Sequence, residues 1–261
     1  MARMILRAAN GLLSAFVTVV LLIAGAYSAY ALWDNNQIYE AAGNVQADMI
    51  KLKPQVEEVG EEGPSFAELL AVNPDVCAWI TMDGTKIDYP VLQGETNLTY
   101  INTDVYGNFA LAGSIFLDTR CDRDFEQAYH LLYGHHMENS KMFGDLDLYK
   151  DAAFFRENRT GTLILPGRVH SLQTIACLLV YASDDVIFEP DRWQDDIKGL
   201  LEYARDNALN RDDETIAALL AACDNPGADT PQIVALSTCS SEFTDARTIV
   251  LAVMNDYAPA N

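Results

Sequence analysis

The stretch that decides the fold covers residues 235–254 and reads ALSTCSSEFTDARTIVLAVM. Two apolar runs flank a short polar connection, and both runs have the β-branched composition that is typical of strands. Cys239 ends the first run, and Arg247, eight residues later, opens the second. We therefore predict two neighbouring strands whose connection brings the chain back, so that the arginine lies beside the cysteine.

Six further runs of this kind precede the pair. Each is short and rich in β-branched, aromatic and aliphatic residues, and Gly, Asp, Asn or Pro separates it from the next run. They cover residues 77–82, 87–93, 113–118, 128–135, 160–166 and 172–183. Eight evenly spaced strands predict a mostly β fold, and we expect them to close into an eight-stranded barrel because closure removes the sheet edges.

Helical patterns lie outside these strands. Residues 35–53 and 65–73 are predicted as N-terminal helices, and Ser65 is a suitable cap for the second of them. Residues 191–209 place apolar side chains at helical intervals along one face, which predicts a long helix before the last two strands. A shorter helix is predicted over residues 212–223.

The N-terminus has the pattern of a membrane anchor. Arg3 and Arg7 precede 26 residues without a charge, and Asp34 follows them. About 20 apolar residues span a bilayer as a helix, and positive charges before the span place the N-terminus in the cytoplasm. We predict an uncleaved single-pass anchor with the rest of the chain outside the cell. The alternative is a cleaved signal peptide, since AYA at 29–31 also fits a cleavage site.

These patterns divide the chain into three segments. Residues 1–33 are predicted as the cytoplasmic N-terminus and transmembrane anchor, residues 34–64 as a helical stalk with an acidic linker, and residues 65–261 as the barrel domain.

Composition limits the partners of the chain. The net charge is −21 and is spread along the sequence, which excludes nucleic acid because a polyanion would be repelled. The five cysteines contain no CxxC pair, and no cluster of zinc ligands accompanies them. We therefore predict no metal and no other cofactor.

A cysteine nucleophile needs a proton partner and a donor for the developing oxyanion. His135 and His136 directly follow Gly134 at a predicted strand end, where catalytic groups commonly lie on a β scaffold. An imidazolium beside Cys239 would stabilise its thiolate and later protonate a leaving amine. Arg247 stays charged and offers several N–H donors; the alternative for it is a surface salt bridge with nearby acids at 242 and 245.

These motifs together resemble the sortases, which are membrane-anchored cysteine transpeptidases of Gram-positive bacteria. The resemblance rests on LSTC at 236–239 with arginine eight residues after the cysteine, and on YGHHM at 133–137. The similarity is finer to class B, through the block at 73–120 with its GSIFLD strand, the histidine block at 133–146, and the long helix before the last two strands. It covers residues 66–254.

The resemblance implies roles for individual residues. The catalytic residues would be Cys239 as nucleophile, His135 as general acid and base, and Arg247 as the clamp on the oxyanion or substrate. His135 is preferred to His136 because the family's histidine directly follows the glycine. The substrate-binding residues would be Asn97, Ile101, Ser237 and Thr238, with the segment 180–193 forming one wall of the groove.

The function implied is cleavage of a C-terminal sorting motif of secreted proteins after its threonine. A thioacyl-enzyme would then pass the protein to an amine of the cell wall, namely a peptidoglycan cross-bridge. The alternatives are a pilin-polymerising sortase that uses a pilin lysine, an L,D-transpeptidase-like cysteine enzyme, and a non-catalytic surface domain in which Cys239 is merely buried.

Overall fold

The computed structural model describes residues 2–55, 66–183, 185–239 and 246–257. The chain forms two compact units, Met1–Ala41 and Ala42–Asn261. The first unit is part of helix α1 (Ala2–Ile50). The most apolar 18-residue window of this helix has a mean hydropathy of 2.1, and none of its residues is buried. By length and composition this helix is able to cross a membrane.

Eight strands of the second unit close into the predicted barrel. The order around it is β11-β10-β4-β3-β2-β1-β7-β8, and β8 pairs back with β11. The short strand β9 adds to β8, and β5 and β6 form a separate hairpin. The bounds are β1 (Val76–Met82), β2 (Asp88–Leu92), β3 (Ile115–Leu117), β4 (Tyr129–Tyr133), β5 (His136–Met137), β6 (Lys141–Met142), β7 (Thr160–Leu165), β8 (Arg168–Tyr181), β9 (Asn210–Arg211), β10 (Gln232–Cys239) and β11 (Ala246–Asp256).

The barrel strands are largely apolar because both of their faces are covered over most of their length, whereas the ends of β7, β8 and β11 reach solvent. In β1, Ile80 and Met82 belong to the large cluster that fills the domain. Trp79, which directly precedes Ile80, belongs to a second cluster with Met49 of α1 and Leu69 of the next helix. Successive side chains of a strand point to opposite faces, so one face lines the domain core and the other packs against the N-terminal helical segments.

The helices follow the predicted order. They are α2 (Ala67–Val72), α3 (Ala152–Glu157), α4 (Asp185–Phe188), α5 (Pro190–Asp195), α6 (Ile197–Asn207) and α7 (Asp213–Cys223), and a 3-10 helix covers Gly144–Lys150. The single long helix predicted over 191–209 is instead two helices that meet at Asp196, and the helical structure ends at Asn207. Asp196 caps α6, because its carboxylate accepts a hydrogen bond from the Gly199 N–H at 2.9 Å. The predicted cap Ser65 lies outside the described residues.

Candidate active site

The register of the last two barrel strands places Cys239 opposite Arg247. Strands β10 and β11 are antiparallel, and the ladder pairs Thr238 with Thr248 and then Cys239 with Arg247. Paired positions in such a ladder have Cα atoms about 4.5–5.5 Å apart. The two residues that the sequence predicts to lie together are therefore neighbours across one pair of strands.

Arg247 is held between two strands. On its other side β11 pairs with β8, where Val180 lies opposite Arg247. The arginine is half-buried, and its Nη1 donates to the Ala246 carbonyl at 3.0 Å. Glu242 and Asp245, the acids that the sequence offers as alternative partners, lie outside the described residues.

His135 reaches the same end of the barrel along a different strand. Strand β4 runs parallel to β10, with Tyr133 opposite Ser237, and the Gly134 N–H donates to the Ser237 carbonyl at 3.1 Å. His135 lies two residues after Tyr133, and Cys239 lies two residues after Ser237. His135 therefore lies at the same level of the sheet as Cys239, the last residue of β10. The backbones of His135, Cys239 and Arg247 thus meet at one end of the barrel.

His135 is held through both its ring and its backbone. Its Nε2 lies 2.8 Å from the Ile101 carbonyl oxygen, a hydrogen bond that requires the proton on Nε2. Its own carbonyl accepts from the Phe143 N–H at 3.0 Å. Gly134 is needed here, since a Cβ at that position would lie 2.5 Å from Ile115 and 2.7 Å from the Phe143 ring. The ring is half-buried.

His136 takes part in a different set of contacts. Its Nε2 lies 3.2 Å from Oδ2 of Asp147 in the 3-10 helix. Asp147 also accepts from Thr248 Oγ1 at 2.7 Å and pairs with Lys150 Nζ at 2.9 Å. Burial opposes ionisation of Asp147, but hydrogen bonds from His136, Lys150 and Thr248 outweigh it and lower its pKa to about 2. The carboxylate is therefore charged at any pH at which the protein works.

The predicted groove residues lie on two elements. Asn97 and Ile101 belong to the connection between β2 and β3, and the Ile101 carbonyl contacts His135. Ser237 and Thr238 are on β10 and are each 2% exposed. Thr238 Oγ1 has no hydrogen-bond partner among the described residues. Ile101 is thus brought to the proposed proton donor, whereas the two β10 side chains are closed off from solvent.

Asn97 is engaged by a buried carboxylate that the sequence did not reveal as part of the site. Its Nδ2 donates to Asp118 at 2.9 Å, and its Oδ1 accepts from the Thr119 N–H at 2.8 Å. Asp118, at the end of β3, also accepts from Tyr133 Oη at 2.9 Å and from Arg120 Nε at 2.9 Å. The asparagine amide therefore joins the connection after β2 to the ends of β3 and β4.

Arg120, which is bonded to Asp118, also contacts the segment 180–193 that is predicted as the groove wall. Arg120 Nη2 donates both to Asp118 at 2.8 Å and to the Phe188 carbonyl in α4 at 2.8 Å. Burial of Asp118 favours its neutral form, but hydrogen bonds from Arg120 and Tyr133 prevail and lower its pKa below the usual value. Asp118 is thus an ionised, fully buried carboxylate that links three elements around the site.

Similarity to known proteins agrees with this fold. No family model matches the chain. The sortase B of Staphylococcus aureus (strain NCTC 8325 / PS 47) is 29% identical over 193 residues, which are 73% of each chain. The crystal structure of a Streptococcus pyogenes class B sortase involved in pilus biogenesis is 34% identical, covers 73% of this chain and 98% of its own, and superposes with a TM-score of 0.62. A Staphylococcus aureus sortase B-substrate complex is 25% identical over 86% of this chain and 97% of its own, with a TM-score of 0.62.

The chain belongs to the class B sortases. It is therefore a cysteine transpeptidase, and the predicted barrel, with the helices before it and before its last two strands, is confirmed. Membership decides among the predicted classes in favour of a sortase rather than an L,D-transpeptidase or a non-catalytic domain.

Proposed function

We propose that Cys239, His135 and Arg247 are the catalytic residues of a transpeptidase that cleaves sorting motifs after threonine. The observation that carries this proposal is the strand register, which brings these three chain positions together from three segments of the sequence. A thiol, an imidazole and a guanidinium supply the nucleophile, the proton donor and the oxyanion partner that acyl transfer needs.

The reaction has two balanced halves. The Cys239 thiolate attacks the carbonyl carbon of the threonine, and Arg247 donates hydrogen bonds to the oxygen as it becomes negative. The C–N bond then breaks, and His135 gives its proton to the departing amine, which leaves a thioester on Cys239. In the second half an amine attacks the thioester, His135 takes the proton of that amine, and the Cys239 thiolate departs.

The proposed substrate is the sorting signal of a secreted protein, bound along Asn97, Ile101, Ser237 and Thr238. Ile101 supports this assignment because its carbonyl already lies at hydrogen-bond distance from His135. The bond occupies the Nε2 proton, which leaves Nδ1 as the ring nitrogen that would exchange a proton with the thiol and the leaving amine. Ser237 and Thr238 directly precede the nucleophile on β10, so the end of this strand would form the floor beneath the scissile bond.

The amine acceptor is proposed to be a peptidoglycan cross-bridge of the cell wall. A pilin lysine is the second candidate, and it is favoured by the 34% identity to the Streptococcus pyogenes class B sortase involved in pilus biogenesis. Competition between a cross-bridge peptide and a lysine-bearing pilin peptide for one thioacyl-enzyme, measured by mass spectrometry of the products, distinguishes the two.

We further propose that residues 1–33 anchor the enzyme with its N-terminus in the cytoplasm, that residues 34–64 form the stalk, and that residues 65–261 are the catalytic domain outside the cell. The uncharged run between Arg7 and Asp34 and the exposed apolar window of α1 support this topology. Protease added to intact cells should digest the catalytic domain and leave an N-terminal tag protected. Protection of both ends would contradict the topology.

The proposed chemistry is tested on the full chain in detergent with sorting-motif peptides and an amine acceptor. Cys239→Ala should abolish cleavage and the thioester adduct. Arg247→Met should lower kcat roughly 10²–10³-fold, as loss of an oxyanion donor does, and His135→Ala should lower it about 10²–10⁴-fold. The matched control is Cys223→Ala, which removes a half-buried thiol of helix α7 and should leave cleavage unchanged. Cleavage that survives in Cys239→Ala would overturn the proposal.

A further inference from the structure

Asp147 is bonded to two chain segments that both carry proposed catalytic residues. It lies in the middle of the 3-10 helix Gly144–Lys150, and its carboxylate accepts from His136 Nε2 at 3.2 Å and from Thr248 Oγ1 at 2.7 Å. His136 directly follows the proposed proton donor His135, and Thr248 directly follows the proposed clamp Arg247. One carboxylate therefore joins the two segments.

The bond to Thr248 constrains Arg247 through strand geometry. Thr248 is fully buried, whereas Arg247 next to it is half-buried. Successive side chains of a strand point to opposite faces, so an anchor on Thr248 also fixes the direction in which Arg247 leaves β11. Thr248 is moreover the ladder partner of Thr238, the residue before Cys239. The anchor thus acts at the level of the proposed nucleophile.

The helix that carries Asp147 is itself firmly held. Leu146 and Tyr149, on either side of Asp147, have no exposed surface. A Cβ on Gly144 would overlap the Met137 carbonyl oxygen, so the start of the helix is packed directly against the hairpin β5–β6 that follows His135. The carboxylate is therefore a fixed point to which both segments are attached, and it is charged because its pKa lies at about 2.

We propose that Asp147 is a positioning residue that sets the separation of His135 and Arg247 by holding their neighbours His136 and Thr248. The inference rests on the proposed catalytic roles of His135 and Arg247. It assigns the second histidine of the Gly-His-His motif a structural bond to Asp147, in place of proton transfer. A shift of about 1 Å in a catalytic group can cost about a hundredfold in rate, so loss of this bond should lower kcat while the groove keeps its affinity.

The test compares two acids of the same helix in the full-length enzyme. Asp145 is the matched control because it is also buried, with 6% of its surface exposed. Its carboxylate accepts from the Lys86 N–H at 2.7 Å and not from the hairpin β5–β6 or from β11. Both Asp147→Asn and Asp145→Asn remove one carboxylate charge and should lower the unfolding midpoint. Only Asp147→Asn should lower kcat, by about tenfold or more, with KM within about twofold of the wild type.

Conservative substitution supplies a second readout. His136→Gln keeps a side-chain N–H that can reach Asp147, whereas His136→Leu does not. The glutamine variant should therefore retain kcat and the leucine variant should lose it to the same degree as Asp147→Asn. Thr248→Val should add little further loss in an Asp147→Ala background, because alanine has no acceptor for the Thr248 hydroxyl and both substitutions then remove the same bond.

Two results would overturn the inference. One is an equal loss of kcat in Asp147→Asn and Asp145→Asn, and the other is equal activity of His136→Gln and His136→Leu. Cys239→Ala, measured in the same series, distinguishes failure of the positioning role from failure of the proposed function. If Cys239→Ala is inactive, these results refute the positioning role alone, whereas an active Cys239→Ala refutes the proposed function itself.

Discussion

Substitution of Arg120 by methionine isolates the contribution of the buried Asp118 carboxylate to stability. Methionine keeps the apolar stem and the backbone N–H but removes the guanidinium, which leaves Asp118 without its charged partner. The Asp118 side chain has no exposed surface, and that of Arg120 is 39% exposed. Removing one partner of a buried pair costs roughly 3–5 kcal/mol because the remaining charge is left uncompensated.

The expected loss of stability lies below most of that range, for two reasons. Solvent already screens part of the interaction at the Arg120 end. The Asn97 amide and the Tyr133 hydroxyl, each 2.9 Å from Asp118, remain as donors in the variant. We therefore expect Arg120→Met to lower the free energy of unfolding by about 2–3 kcal/mol near pH 7.

The same variant should also change how stability depends on pH. In the wild type the pKa of Asp118 is lowered, so its contribution is present above the unfolded value of 3.8 and is lost as the pH falls through the folded value. Without Arg120, burial dominates and raises the folded pKa above the unfolded one. The variant then loses stability as the pH rises, and its deficit relative to the wild type should be larger at pH 7.5 than at pH 4.5.

Urea unfolding at these two pH values, followed by tryptophan fluorescence, measures this difference. Trp79 and Trp193 are almost fully buried and report on the barrel and on α5. The control is Arg205→Met, which breaks an exposed pair with Asp206 in α6 and should change neither midpoint measurably. An equal deficit of Arg120→Met at both pH values, or none at pH 7.5, would show that the reasoning is wrong.

Two further predictions concern stability. Neither ring nitrogen of the buried His130 has a hydrogen-bond partner among the described residues, and burial lowers its pKa to about 3. The unfolded chain alone therefore takes up a proton between pH 6.5 and about 3, so stability should fall with decreasing pH by roughly 1.4 kcal/mol per pH unit there. His130→Leu should flatten that slope in urea titrations, and an unchanged slope would assign it to other groups. Gly144→Ala should cost about 2 kcal/mol or more, because the new Cβ meets the Met137 carbonyl. Gly227→Ala, where the nearest atom is 3.7 Å away, is its control in thermal melts, and equal melting temperatures would contradict the packing argument.

The eight strands could be predicted because most of their residues are apolar and many of the strands are covered on both faces. Residues such as Trp79 and Ile80 face different clusters but are both apolar, which produces continuous β-rich runs that are easily separated by their turns. The order of the strands could not be obtained in this way. Nothing in the composition of β4 or β10 indicates that they pair in parallel, although this pairing brings His135 towards Cys239.

The two carboxylates around the site could not be predicted either. Asp118 ends the predicted strand 113–118 and Asp147 lies between predicted strands, and the chain contains 38 acidic residues, most of which read as solvated surface. Burial and partners distinguish these two, and both depend on tertiary contacts. The burial of Cys121 likewise depends on tertiary contacts. Its loop is polar, yet its thiol is buried and accepts a hydrogen bond from the Leu131 N–H at 3.4 Å. The break at Asp196 had a local signal, because aspartate is a favoured helix cap.

The parallel pairing of β4 with β10 also governs the order in which the protein can fold. Tyr129 and Ile233 pair across a separation of 104 residues, and contacts this distant in the chain close slowly. A chain synthesised from its N-terminus contains β1 to β3 and the hairpin β5–β6 long before β10 has been made. Strand β10 then adds to β4 and brings Cys239 to the site, and β11 closes the barrel between β10 and β8. A chain that ends before β10 would accordingly hold an open sheet edge and lack the proposed nucleophile, so the proposed acyl transfer could begin only after the last two strands are made.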